Sequence, residues 1–183
     1  ATSRARRSAQ NALWHILQCF VKLMAPILSF TGEEIWPLIN GNDQSIMLQT
    51  WQALPAPADE EALLDKWQRL RGYRGEVMRA LEELRSSGKI GSPLQAAVRL
   101  HCSGEKYATL SSLADDLRFV FICSHAEVIS DTTDTLVCFP LPHSKCERCW
   151  HVRDDIGSDP AHPGLCGRCL SNLFGEGEAR ACA

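Results

Sequence analysis

The chain has 183 residues, 45% of them hydrophobic, enough to bury one core or two small ones. Nineteen Lys and Arg against 22 Asp and Glu give a net charge of −3, so the whole-chain charge argues neither for nor against nucleic acid. No run approaches the roughly 20 apolar residues that a membrane span needs.

The charge is blocky. Residues 1–30 carry Arg4, Arg6, Arg7 and Lys22 and no acid, residues 31–65 carry seven acids and no Lys or Arg, and residues 66–99 carry eight bases against three acids. Two local basic segments are therefore compatible with phosphate contact, although solvated helix faces are the plainer reading. Nine cysteines are present. Cys19, Cys102, Cys123, Cys138 and Cys182 lie singly, mostly in apolar runs, where a free cysteine behaves as a small core residue. That usage points to a reducing compartment. The Arg-rich start resembles a transit peptide, but it opens on Ala1 and flows into a helical pattern, so the chain is read as a cut through a larger protein.

From Leu13 the apolar residues fall at 13, 16, 17, 20, 24, 27 and 28, the spacing of an amphipathic helix with one buried stripe that Pro26 ends or kinks. Thr31 and Glu34 form a capping-box pattern for a second helix, which Pro37 shortens or distorts. Asn40–Asp43 reads as a turn and Ser45–Trp51 as extended chain. Pro55-Ala56-Pro57 is a stiff linker and marks a domain boundary. Asp59-Glu60-Glu61 opens a long helix with its acids at the positive end of the dipole. Leu63, Trp67, Leu70, Val77, Leu81 and Leu84 are its expected buried face, and Gly88 stops it. Ala97–Cys102 alternates as a strand, Tyr107–Leu117 has helical spacing, and Phe119–Cys123, Glu127–Ser130 and Thr135–Phe139 are further strand candidates. The sum is a mixed α and α/β chain.

Chemistry concentrates in K-C-E-R-C-W-H-V-R-D-D-I-G-S-D-P-A-H-P-G-L-C-G-R-C-L, residues 145–170. The two C-x-x-C pairs, Cys146/Cys149 and Cys166/Cys169, each put two sulfurs on one tight turn, and Gly157, Pro160, Pro163 and Gly164 let the loop between them fold back. Four thiolates at this spacing suit a closed tetrahedral Zn²⁺ site, structural because no position is left for water. His143, His151 and His162 flank the pairs as substitute ligands of lower rank. His15, His101 and His125 are expected to be packed or surface residues. Arg148 and Arg168 precede the second cysteine of each pair and either neutralise the thiolates or reach phosphates. Trp150 is expected to pack against the finger, with base stacking as the alternative.

C-E-R-C-W-H … L-C-G-R-C-L-S-N-L resembles the C-terminal zinc finger of bacterial isoleucyl-tRNA synthetases. A related finger ends the formamidopyrimidine-DNA glycosylases. R-R-S-A-Q-N-A-L-W-H-I (Arg6–Ile16), A-P-I-L-S-F-T-G-E-E-I-W (Ala25–Trp36) and K-I-G-S-P-L-Q-A-A-V (Lys89–Val98) are similar to successive landmarks of the synthetase, and they decide for it.

The resemblance implies the end of an anticodon-binding helical bundle over 1–54, a long helix plus small α/β connector over 58–140, and a zinc finger over 141–183. It implies a segment that binds and orients tRNA-Ile, with Arg4, Arg6, Arg7, Lys22, Arg148, Trp150 and Arg168 as candidate contacts. No catalytic residue is expected here, since neither ATP-binding signature of the family (HIGH or KMSKS) occurs, and no editing site either. ATP and Mg²⁺ belong to the full enzyme. The remaining expectations are a cytoplasmic monomer whose partners are tRNA-Ile and the catalytic and editing domains of the same polypeptide. The rival readings are a glycosylase tail that binds damaged duplex DNA and a zinc-stabilised protein-interaction domain.

Overall fold

The computed structural model describes residues 4–51 and 53–178, so Cys182 lies outside the described residues. Two compact units divide at Ala58/Asp59. Six α-helices and two small sheets lie among the described residues, and no helix there is long and apolar enough to cross a membrane.

In the first unit α1 (Arg4–Met24) and α2 (Ser29–Asn40) pack together, followed by a 3-10 turn at Ile46–Leu48. Helix α1 stops two residues before Pro26, which cannot continue the ladder. The buried residues are Val21, Ala25, Trp36 and Ile46. The expected stripe is not the buried one: Leu13, Ile16, Leu17, Phe20, Ile27 and Leu28 are exposed. The buried positions of this stretch are Gln18, Val21 and Ala25, a face turned about 110° from the centre of that stripe at 100° per residue.

Three further expectations are corrected. Helix α2 starts at Ser29, which puts Thr31 inside the first turn, and Leu28 precedes it without a side-chain cap. It also runs through Pro37 for 12 residues, because buried Trp36 anchors it and Gly41 (φ 66°) closes it by donating to the Pro37 carbonyl. Finally, Ser45–Trp51 contains a helical turn rather than extended chain: Ser45 Oγ accepts the Met47 N–H and donates to Glu33.

The second unit is built on α3 (Glu60–Ser86) and a three-stranded sheet in the order β2-β1-β3, with β1 at Ala96–Cys102, β2 at His125–Ser130 and β3 at Thr135–Pro140. Strand β1 is parallel to β2 (Val98 opposite Ala126) and antiparallel to β3 (Val98 opposite Cys138). The parallel pair needs a crossover, and α4 (Gly104–Ser111) and α5 (Leu117–Phe121) supply it. Phe119–Cys123 is therefore largely helix and turn rather than strand, and Phe121 faces the core.

Leu70, Val77 and Leu81 of α3 bury against Val98, Leu100, Leu110, Leu117 and Phe121. Each such side chain contributes about 1.5–3 kcal/mol. The first two turns of α3 do not join this core, since Leu63 and Trp67 are exposed. Three of its arginines are tied within this unit: Arg69 to Asp65 and Glu105, Arg74 to the Val120 carbonyl at 2.9 Å, and Arg85 to Glu82. Cys102 and Cys123 are buried and Cys19 and Cys138 half-buried, as small core residues are.

Candidate metal centre and nucleic-acid interface

Strands β4 (Ser144–Lys145) and β5 (Val152–Arg153) form a short hairpin that holds the first cysteine pair in its turn. Trp150 N–H donates to the Cys146 carbonyl at 2.9 Å and Cys146 N–H to the His151 carbonyl at 2.9 Å, closing the knuckle. The second pair sits at the start of α6 (Gly167–Phe174), with Cys166 just before its first residue. Cys166 N–H points at Cys146 Sγ, 3.4 Å away.

The loop between the pairs is fixed at both ends. Glu147 N–H donates to the Gly164 carbonyl at 3.0 Å, and a Cβ on Gly164 would run into the Glu147 carboxylate. Gly164 is thus required by close approach rather than by backbone freedom. Asp155 Oδ2 accepts the Gly167 N–H at 3.1 Å, while Arg153 donates to both Asp155 oxygens at 3.0 Å each.

The four sulfurs of Cys146, Cys149, Cys166 and Cys169 lie within 4.8 Å of one another. Cys149 Sγ is 3.7 Å from Cys166 Sγ, far beyond a disulfide bond of about 2.05 Å. Four sulfurs about 2.3 Å from a common centre stand about 3.8 Å apart along a tetrahedral edge, so the spacing fits a Zn²⁺ ion. Burial alone raises the Cys146 thiol, but the backbone N–H groups of Cys149, Cys166 and Arg148 overcome it and hold the group down at about 6. Burial raises its neighbour Cys166, to about 12. The Cys146 thiolate is thus prepared by backbone donors, whereas that of Cys166 needs a cation. No histidine enters the cluster: His151 Nδ1 faces the Cys149 carbonyl at 3.2 Å and His162 stacks on Phe174 at 4.3 Å.

Trp150 is not packed in a core. It is 60% exposed, its φ is 64°, and Lys145 Nζ lies 5.5 Å from its ring centre. A bulky residue in the left-handed region is strained, and the knuckle imposes that geometry whatever the side chain.

The two arginines differ. Arg148 is exposed and donates toward Cys169 Sγ at 3.7 Å. Arg168 makes paired bonds to Glu178 (2.5 and 3.1 Å) and lies 5.0 Å from the Phe119 ring centre. Of the candidate contacts in the first unit, Arg4, Arg6 and Arg7 are exposed on the first turn of α1. Lys22 donates to the Thr50 carbonyl at 3.2 Å and lies over Trp36.

Sequence reasoning missed Asp155, Phe119 and Glu178. Nothing in the sequence separates Asp155 from its neighbour Asp154, and Phe119 reads only as part of an apolar run.

Residues 1–100 match the family model described as the anticodon-binding domain of tRNA ligase. The chain belongs to that family. Residues 144–172 also match the zinc finger found in FPG and IleRS, which covers both cysteine pairs, and the four-cysteine cluster and this match together support a structural zinc.

Among similar proteins, the isoleucine–tRNA ligase of Dechloromonas aromatica is 58% identical over 182 residues, 99% of this chain and 20% of that protein. That of Thiobacillus denitrificans is 54% identical over 178 residues, 97% of this chain and 19% of that protein. That of Burkholderia multivorans is 49% identical over 184 residues, 99% of this chain and 20% of that protein. The chain spans about one fifth of the length of these relatives. An anticodon-binding family member that carries such a finger fits the expectation drawn from the cysteine pairs and the three upstream motifs.

Proposed function

We propose that the chain is the C-terminal segment of an isoleucine–tRNA ligase, a class I aminoacyl-tRNA synthetase, and that it binds and orients tRNA-Ile. The observation that carries this reading is the pairing, in one chain, of an anticodon-binding match over 1–100 with a zinc-finger match over 144–172. The finger match alone would suit a DNA glycosylase equally, and the anticodon-binding half is what separates them. Isoleucine activation with ATP and Mg²⁺ belongs to domains outside this chain, and the intact protein works as a cytoplasmic monomer.

The three functional segments are 1–54, 58–140 and 141–183. Cys146, Cys149, Cys166 and Cys169 hold one zinc that staples the finger. The exposed apolar stripe of α1 (Leu13, Ile16, Leu17 and Phe20) is covered by the rest of the helical bundle in the same polypeptide, since relatives are about five times longer.

For RNA, the exposed Trp150 ring offers a stacking face worth about 1–3 kcal/mol per base. Arg148, exposed on the same knuckle, meets a phosphate, and Arg4, Arg6 and Arg7 form a second basic contact. Arg168 and Lys22, already engaged in the protein, hold the fold that presents these groups.

Competition between tRNA-Ile and lesion-bearing duplex DNA for the intact zinc-loaded protein tests the proposal. Displacement by tRNA alone is expected. Preference for the damaged duplex would replace it with the glycosylase reading.

A further inference from the structure

Where the connector meets the finger, a cleft of about 250 Å³ opens between α5–β2 on one side and β4–β5 on the other. Its walls include Arg118, His125, His143 and Arg153, with Asp154 as the acid among them. The floor is Ser124, which is buried and bonded in both directions: it donates to the Leu94 carbonyl at 2.5 Å and accepts the Val152 N–H at 2.7 Å. That second bond ties β5 of the finger to the start of β2, so the two walls are held at a fixed separation.

The guanidiniums around this junction are not equivalent. Arg153 shares its charge with Asp155, and Arg168 with Glu178. Arg118 is held over the Phe119 ring at 4.9 Å, and no carboxylate pairs with it among the described residues. Phe119 thus lies against Arg118 and Arg168, and its ring meets His151 edge-on at 5.8 Å. This stack orders Arg118 before any ligand arrives. The corner between it and Ser124 passes through Ile122, a β-branched residue at φ 55°, a costly conformation for such a side chain.

We propose that this cleft binds one backbone phosphodiester of the bound RNA. Arg118 supplies the unshared charge, and the exposed imidazoles of His125 and His143 supply hydrogen-bond donors to the non-bridging oxygens. The proposal rests on the tRNA-binding reading and adds a contact that the cysteine knuckles do not provide. Asp154 decides between sources of phosphate. Coulomb repulsion scales with charge, so a carboxylate on the wall disfavours a free phosphate dianion about twice as strongly as it does a singly charged diester.

The test is protection of His125 and His143 from diethyl pyrocarbonate in the intact zinc-loaded protein, read peptide by peptide by mass spectrometry. It is run with a tRNA-Ile transcript and, at matched ionic strength, with inorganic phosphate. A several-fold slowing at both histidines with tRNA and none with phosphate is expected. In addition, Arg118→Gln should flatten the plot of log K for tRNA against log salt by about 0.7–0.9.

Bound tRNA with both histidines fully reactive, or an unchanged slope in Arg118→Gln, overturns the cleft and leaves the tRNA reading intact. Protection by inorganic phosphate as strong as by tRNA overturns the diester assignment. Absence of tRNA binding by the unmodified protein overturns both. His143→Ala, at an exposed position, should weaken tRNA binding at unchanged melting temperature and covers the case in which Arg118→Gln fails to fold.

Discussion

Asp155 joins the two halves of the finger by accepting the Gly167 N–H through Oδ2 while both its oxygens face Arg153. The second cysteine pair is thereby aimed by a residue eleven positions before Cys166. Asp155→Ala leaves the Gly167 N–H and the Arg153 guanidinium without their partner, which should cost about 1–3 kcal/mol. Faster zinc transfer to a chromogenic chelator and a lower melting temperature are the expected outcomes.

Acid should act in the same direction. The Arg153 hydrogen bond holds the Asp155 carboxyl below its ordinary value, so its contribution is present above the unfolded carboxylate range and lost as pH falls through the folded value. Zinc binding also requires thiolates, and protons compete for all four sulfurs. Zinc retention and melting temperature measured from neutral pH downward should therefore fall together, and retention that rises on acidification would refute the thiolate site.

Arg148 and Arg168 occupy matching positions in their knuckles but should respond differently. Arg148→Ala removes an exposed cation and should reduce the salt slope of tRNA binding by about 0.7–0.9 with zinc content unchanged. Arg168→Ala removes the guanidinium that bonds Glu178 and lies over Phe119, so thermal stability should fall first, with a smaller change in salt slope. Equal salt slopes for Arg148→Ala and the parent protein would place the phosphate contact elsewhere.

Trp150 separates stacking from packing by an unusual substitution. Trp150→Gly relieves a left-handed backbone that glycine adopts freely, a gain of up to about 1 kcal/mol. Because the ring is exposed, little burial is lost with it. Stability should hold or rise while tRNA affinity falls by about 1–3 kcal/mol with little change in salt slope. A lower melting temperature with unchanged tRNA affinity would restore the packing role.

In the first unit, a Cβ on Gly32 would stand 3.2 Å from Ala25 Cβ and 3.6 Å from Ile46 Cγ2. A larger side chain must push α1 and α2 apart. Gly32→Val is expected to destabilise this unit by about 1–3 kcal/mol, read by denaturant titration followed through buried Trp36, and an unchanged midpoint would contradict the close packing.

The finger was the most legible part of the chain, because C-x-x-C is a local geometric device and two copies leave little freedom. The same local logic yielded α3, its end near Gly88 and strands at 97–102, 127–130 and 135–139, each within two residues of the observed bounds. Failures occurred where tertiary context decides. The apolar periodicity of α1 correctly announced a helix, but not which face meets α2, since that face carries Gln18 and Val21 while the more apolar stripe stays exposed. Trp150 read as core from its residue type, and only the backbone turn of the knuckle sends it outward. Asp155 and Phe119 acquire their roles from partners 12 and 49 residues away, Gly167 and Arg168, a relation that no local pattern encodes.

The central claim, that a zinc-stapled segment grips the cognate tRNA, is tested most directly by electrophoretic binding of the intact protein to tRNA-Ile against a non-cognate tRNA, with and without zinc removed by chelation. The account expects tRNA-Ile to bind more tightly than the non-cognate tRNA, and that preference to weaken when the zinc is withdrawn and to return when zinc is restored. Affinity for tRNA-Ile that is unchanged by complete zinc removal, or equal for both tRNAs, would contradict it.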